Sequence, residues 1–188
     1  MLVLVVGPSG AGKDTLLGAA KTPLADDPRF RFARRIITRP AQPEREDYEA
    51  IDEQTFRARR DAGAFGLWWQ AHGLHYGIPS AALCDLATGA VVVASVSRSV
   101  VAEAAALFPV RVVEVTASTD VLACRLASRG RNDQADMVER LARVLPLPDR
   151  LAVSTIVNDG TIEEGGRAMI ALLIEVARET DRGFRSGS

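Results

Sequence analysis

Cysteine and lysine are almost missing from this chain. Its two cysteines, Cys84 and Cys124, lie far apart and outside any C-x-x-C pattern. Neither a disulfide framework nor a cysteine-built metal site is indicated, and the expectation is core or near-core thiols in a reducing compartment. Lysine occurs only as Lys13 and Lys21 among 23 basic residues. Abundant arginine reflects genome base composition more often than function, so each arginine has to be judged by its position. Net charge is missing too: 24 acidic residues against 23 basic ones leave −1, and no global field suggests a nucleic-acid or membrane partner. The first apolar run ends at residue 6 with no basic segment before it, too short for a signal peptide or a membrane span. A cytoplasmic location is expected. No internal repeat or low-complexity tract appears. The only histidines, His72 and His75, flank Gly73 at a spacing that makes a helical metal pair a poor reading, so both are expected to be structural or pocket-lining.

What is present is a succession of short β-branched runs at residues 2–6, 91–95, 110–115 and 154–157, mostly without alternation, which is how strands buried on both faces read. Helical patterns alternate with them over residues 13–20, 99–107, 119–128 and 161–177. That order predicts an α/β fold, a mainly parallel sheet covered by helices on both faces in three layers. Between the first two strands lie an extended segment through Phe30, Phe32 and residues 33–37, a polar loop at 41–47, and a helix over 53–62 with Asp52 as N-cap and Gly63 as its stop. An aromatic-rich stretch, FGLWWQAHGLHYG, comes next, with Trp68 and Trp69 expected in core and hinge packing. Pro79 then suits the first position of a helix that Gly89 ends. Residues 125–143 are charged and arginine-studded, a pattern for a mobile surface, and the last eight residues, DRGFRSGS, read as a frayed tail. The length suits one domain with appended segments.

The stretch GPSGAGKDT, residues 7–15, carries the chemistry. Gly7, Gly12 and Lys13 satisfy G-x-x-x-x-G-K between a strand candidate and a helix candidate, the context that a phosphate-binding loop requires. Glycines let successive backbone N–H groups turn toward phosphate oxygens, and the helix start adds its positive end. Lys13 supplies a point charge for the β- and γ-phosphates. The loop residues Gly7, Pro8, Ser9, Gly10, Ala11, Gly12, Lys13, Asp14 and Thr15 are therefore the expected nucleotide site, with ATP and Mg²⁺ as cofactors. One position breaks the pattern: where Ser or Thr usually follows the lysine, this chain has Asp14 and only then Thr15.

Taken in order, GPSGAGK, Thr38-Arg39, Asp47-Tyr48, HGLHYG, RLASRGR, ERL and NDG make the chain resemble the guanylate kinase family over essentially its whole length. Within it, the GKD ending of the loop, the ITRP run and the VSR after the third strand candidate are similar to the ribose 1,5-bisphosphate phosphokinases. The resemblance implies a P-loop NTPase core over residues 1–33, 79–124 and 146–180, an acceptor-binding insertion over 34–78, and a helical lid over 125–145, with a tail at 181–188. It implies that Arg39, Tyr48 and Tyr76 contact the acceptor phosphate. Arg125, Arg129 and Arg131 would sit on the lid near the nucleotide, Arg140 would bridge phosphates, and Asn158 and Asp159 would lie near the adenine side. Lys13, Arg129 and Arg140 would carry catalysis.

Three departures bear on the substrate. A guanylate kinase reads guanine with an acidic residue where this chain has Leu67, and with a small hydroxyl where it has Arg35. Guanine donors left unpaired in a pocket would cost about 1–3 kcal/mol each. An acceptor with two phosphates and no base instead calls for cations, and Arg35 and Arg98 are the extra ones, with guanidinium forks suited to phosphate. The D-x-D that the family carries after the third strand is Ser95-Val96-Ser97, while Asp14 is a new carboxylate, expected to coordinate Mg²⁺ through water. The implied reaction is phosphoryl transfer from ATP to the 1-phosphate of ribose 1,5-bisphosphate, a small-molecule acceptor. A nucleotide kinase of altered base preference and a non-catalytic binding module of the same fold remain as alternatives, and the oligomeric state is left open.

Overall fold

A computed structural model of the chain describes residues 1–40, 47–127 and 146–186. At its centre is β1 (Leu2–Val6), with no residue of the strand exposed on either face. Around it a parallel sheet runs in the order β2 (Phe30–Phe32), β7 (Val91–Ser95), β1, β8 (Val110–Thr116) and β9 (Val153–Val157). The alternation of side chains along β1 divides the core. Val3 and Val5 face a cluster with Leu16, Ala20, Met169, Leu173 and Val176, while Leu2, Leu4 and Val6 face one with Leu67, Trp69, Ile78, Val101 and Ala104. Unbroken β-branched runs are the sequence form of strands covered on both sides, and burial of each such side chain contributes about 1.5–3 kcal/mol.

Helix α1 (Lys13–Lys21) leaves the end of β1 through the glycine-rich turn and packs on the long C-terminal helix α6 (Ile162–Ser186). Gly165 and Gly166 make that approach possible. A Cβ on Gly165 would stand 2.7 Å from a Leu16 methyl and one on Gly166 3.0 Å from the Ala19 Cβ. Thr161 and Glu164 form a capping box before α6, the Thr161 N–H donating to Glu164 and the Glu164 N–H to the Thr161 hydroxyl. The helix runs on through Ser186, beyond the residues 161–177 that the pattern marks as helical.

The remaining helices cover the sheet as α4 (Val101–Leu107) and α5 (Thr119–Ala127), with α3 (Ser80–Leu83) and a 3₁₀ turn over Cys84–Thr88 before β7. Pro79 is the last residue of the strand Leu74–Pro79 and the N-cap of α3, one position earlier than expected, and Gly89 ends the segment in left-handed conformation at φ +83°. Both cysteines are exposed, contrary to the expectation of core thiols, because Cys84 opens the 3₁₀ turn and Cys124 lies on the outer face of α5.

The segment read as one extended run through residues 30–37 serves two sheets. Phe30–Phe32 joins the parallel sheet, and β3 (Arg35–Ile37) enters a second sheet ordered β4 (Tyr48–Ala50), β3, β6 (Leu74–Pro79), β5 (Phe65–Ala71). The aromatic stretch is the β5–β6 hairpin, closed by His72 at φ +53° and Gly73 at φ +70°, the two left-handed residues that a two-residue turn needs. Helix α2 (Glu53–Asp61), capped by Asp52 accepting from the Thr55 N–H, anchors to this sheet through fully buried Phe56. The Phe56 ring stacks on Phe65 at 4.5 Å and meets His75 at 5.3 Å, which makes His75 a packing residue. Trp69 is buried, but Trp68 is 39% exposed on the opposite face with the Arg60 guanidinium 5.2 Å from its ring, so only one of the two tryptophans is core.

Phe56→Ala removes the largest side chain that ties α2 to the second sheet. Urea unfolding is expected to show a loss of about 3–5 kcal/mol, and a loss under about 1 kcal/mol would contradict this packing.

Candidate phosphate-transfer site

The turn after β1 is held in a shape that only glycine permits at its first position. Gly7 has φ +147°, and a Cβ there would lie 1.9 Å from the Val115 carbonyl oxygen of β8. Gly10 and Gly12 are left-handed at φ +88° and +86°. The Lys13 ammonium donates back to the Gly7 carbonyl at 2.7 Å and to the Pro8 carbonyl at 3.0 Å, curling over the loop whose phosphates it is expected to meet.

Behind the loop stands Asn158, 5% exposed, at the end of β9. Its side-chain amide donates to the Ala11 carbonyl at 2.8 Å, and its backbone N–H donates to Thr116 at 2.7 Å. Its Nδ2 would lie 2.5 Å from a Cβ on Gly12. Asp159 next to it accepts from the Ser118 N–H at 2.7 Å, tying the start of α5 to the same corner. Both residues brace the loop and the strand ends beside it. Arg125, near the end of α5, brings its Nη1 to 3.9 Å from where a Gly12 Cβ would stand, so it lies against the loop. Arg129, Arg131 and Arg140 lie outside the described residues.

Across the loop, three positions singled out separately in the sequence meet. Arg35, the first residue of β3, donates from Nη2 to the Asp14 carboxylate at 2.8 Å and from Nη1 to the Ser95 hydroxyl at 3.3 Å. The pair is half sheltered, with side-chain exposures of 12% for Arg35 and 33% for Asp14. Ser95 is buried at the end of β7. One guanidinium thus links the start of α1, the end of β7 and the second sheet. Leu67 is fully buried among Leu2, Leu4 and Ile78, a core position and not a pocket wall. Arg98 is engaged with Glu114 of β8, and this pairing rather than the Asp14–Arg35–Ser95 cluster takes its guanidinium. The expectation has Arg98 reaching the acceptor; in the structure its guanidinium is paired with the partly exposed Glu114.

On the second sheet, Arg39 lies 4.6 Å above the Tyr48 ring and donates to the Tyr48 hydroxyl at 3.3 Å, which in turn donates to the Pro40 carbonyl at 2.6 Å. Tyr76 stacks on Trp69 with centroids 5.3 Å apart and planes 6° from parallel. An open cleft of about 530 Å³ is lined by Thr38, Arg39, Pro40, Ala50, Ile51, Asp52 and Thr55. Asp47, next to Tyr48, bridges Lys21 of α1 at 2.7 Å and Arg34 at 2.8 Å, and the hydrogen bond from Lys21 is the main reason its carboxyl sits below the usual range. No cluster of three or more metal-ligating side chains occurs among the described residues.

No protein-family profile matches the chain. Among curated proteins, the ribose 1,5-bisphosphate phosphokinase PhnN of Brucella melitensis is 47% identical over 180 residues, covering 95% of this chain and 94% of its own length. That of Methylobacterium radiotolerans is 49% identical over 173 residues, covering 92% and 96%. The chain belongs to the ribose 1,5-bisphosphate phosphokinase family. It is a kinase, and a bifunctional ribose 1,5-bisphosphokinase–thymidine phosphorylase of Cupriavidus pinatubonensis shares 46% identity over 98% of this chain but only 29% of the larger protein. The fold of this phosphokinase family member is that of the guanylate kinase of Anaplasma phagocytophilum, with a TM-score of 0.66 at 17% identity over 94% of this chain and 86% of that one. The guanylate kinase-like P-loop α/β architecture is thereby established.

Asn158→Ala leaves the Ala11 carbonyl without its side-chain donor. A stability loss of about 1–3 kcal/mol in chemical denaturation is expected, together with weaker nucleotide binding by calorimetry. Unchanged nucleotide affinity would show that the loop does not need this brace.

Proposed function

We propose that the protein transfers the γ-phosphoryl group of ATP to the 1-phosphate of ribose 1,5-bisphosphate, forming 5-phosphoribosyl 1-diphosphate and ADP. The names carried by its full-length relatives support this substrate. The structural observation that carries the reading is Arg35, a guanidinium 2.8 Å from Asp14 beside the phosphate loop, on the strand position where a base-reading hydroxyl would stand in a guanylate kinase. A cation there suits a phosphate, and Leu67 is buried where it reads no base.

In this reading the parallel sheet with its loop binds the nucleotide, residues 34–78 form the acceptor-binding insertion, and residues 125–145 form a lid. Arg35, Arg39, Tyr48 and Tyr76 hold the acceptor, and Lys13, with lid arginines including Arg125, meets the nucleotide phosphates. Arg129, Arg131 and Arg140 are proposed for the same lid. Asn158 and Asp159 support the nucleotide from behind the loop. The cytoplasm supplies both substrates. An oxygen of the 1-phosphate bonds to the γ-phosphorus as the bond from that phosphorus to the β-bridging oxygen breaks, and ADP leaves with those electrons. The attacking oxygen is ionised near neutral pH, so no general base is required. Rate comes from in-line positioning and from cations placed where charge spreads over the moving phosphoryl.

The residues present fit a magnesium ion held chiefly by the nucleotide. Asp14 is one third exposed in the first turn of α1, with the exposed Thr15 after it, while β7 ends in hydroxyls and not in carboxylates. Magnesium characteristically takes one or two carboxylates with phosphates and waters. When bound, it neutralises charge on the β- and γ-phosphate oxygens.

An ADP-release assay should show turnover with ribose 1,5-bisphosphate far above that with GMP, dGMP or UMP. Preference for any nucleotide would overturn the assignment. Lys13→Ala is expected to lower kcat by about two orders of magnitude or more, in line with losing one charge-stabilising donor, while moving the KM for the acceptor little. The opposite split would remove Lys13 from the transition state.

A further inference from the structure

Asp14 and Arg35 belong to different substrate sites by their place in the fold. Asp14 follows the loop lysine at the start of α1, and Arg35 opens the strand that begins the second sheet. They nevertheless form an ion pair at 2.8 Å, with Ser95 as a further acceptor for the same guanidinium. Arg35 is only 12% exposed in its side chain, so water cannot replace an anion beside it, and the carboxylate of Asp14 is an anion it holds before any substrate arrives.

Substrate binding changes that balance from both sides. A triphosphate in the neighbouring loop brings negative charge next to Asp14, which is repelled unless a cation stands between them. The magnesium that accompanies the nucleotide would offer Asp14 a doubly charged partner in place of the guanidinium. The acceptor phosphate, for its part, needs a guanidinium that Asp14 already holds.

We propose that the Asp14–Arg35 pair couples the two sites. Without nucleotide, Asp14 competes with the acceptor for Arg35; with a magnesium nucleotide in the loop, Asp14 turns to the metal side and Arg35 passes to the acceptor phosphate. Binding is then mutually reinforcing, since linkage makes each ligand strengthen the other by the same factor. This rests on the substrate reading given above. Asp14 acts here as a positioning residue, through the arginine it holds or releases.

The test is calorimetric binding of ribose 1,5-bisphosphate to the full-length protein, with and without magnesium and a non-hydrolysable ATP analogue. Wild type is expected to bind the acceptor about tenfold more tightly with the analogue present, within the range usual for coupled sites. Asp14→Asn is expected to bind the acceptor several-fold more tightly than wild type in the absence of nucleotide and to lose the enhancement. Arg35→Gln is expected to bind it weakly in both states. A merely structural ion pair predicts instead that Asp14→Asn weakens acceptor binding or leaves it unchanged, and that result overturns the proposal. The wild-type ratio decides by itself if either variant fails to fold, and a ratio near one sinks the coupling while leaving the substrate assignment standing. Failure of wild type to bind ribose 1,5-bisphosphate in either state overturns both.

Discussion

A loop that offers its backbone N–H groups to phosphate has to be held by other groups, and here the hold comes from β8 and β9. The Val115 carbonyl presses on Gly7 so closely that no side chain fits there, and the buried Asn158 amide fastens the Ala11 carbonyl at 2.8 Å. Both contacts depend on the parallel register of β1, β8 and β9, in which Val6 lies beside Glu114 and Val115 beside Ile156. The continuous apolar strands are therefore more than filler. They fix the height at which the loop meets the ends of its neighbours.

From that fixed loop the chemistry extends outward through one guanidinium. Exposed ion pairs contribute about 0–1 kcal/mol, whereas stripping one partner from a buried pair costs about 3–5 kcal/mol. The Asp14–Arg35 pair, at 33% and 12% exposure, lies between those limits. The proposed exchange for a phosphate and a metal needs a pair in that intermediate range. Ser95, at the end of β7, accepts a second hydrogen bond from the same guanidinium without adding charge, so Asp14 is the carboxylate that pairs with Arg35.

Much of this was legible in the sequence because it is local. The glycine spacing of residues 7–12, the Asp52 cap and the unbroken strand runs each declare themselves within a few residues. Contacts across the chain do not. Asp14 and Arg35 are 21 positions apart, and Arg35 and Ser95 are 60 apart, so sequence marked each as odd without showing that they touch. The β5–β6 hairpin was missed because its turn is His72-Gly73, and histidine is a weaker sign of left-handed backbone than asparagine, although the two-residue gap and the alternation before it were available signals. Arg98 is a similar case: its partner Glu114 lies 16 positions away on β8, and nothing local in the sequence pairs them.

The bond that forms is the most direct measure of the central claim. Phosphorus NMR of the reaction of ATP with ribose 1,5-bisphosphate should show the sugar's 1-phosphate resonance replaced by two mutually coupled resonances of a diphosphate, with the 5-phosphate unchanged. Conversion of the 5-phosphate instead, or ADP formation with no new diphosphate on the sugar, would contradict phosphoryl transfer to the 1-phosphate.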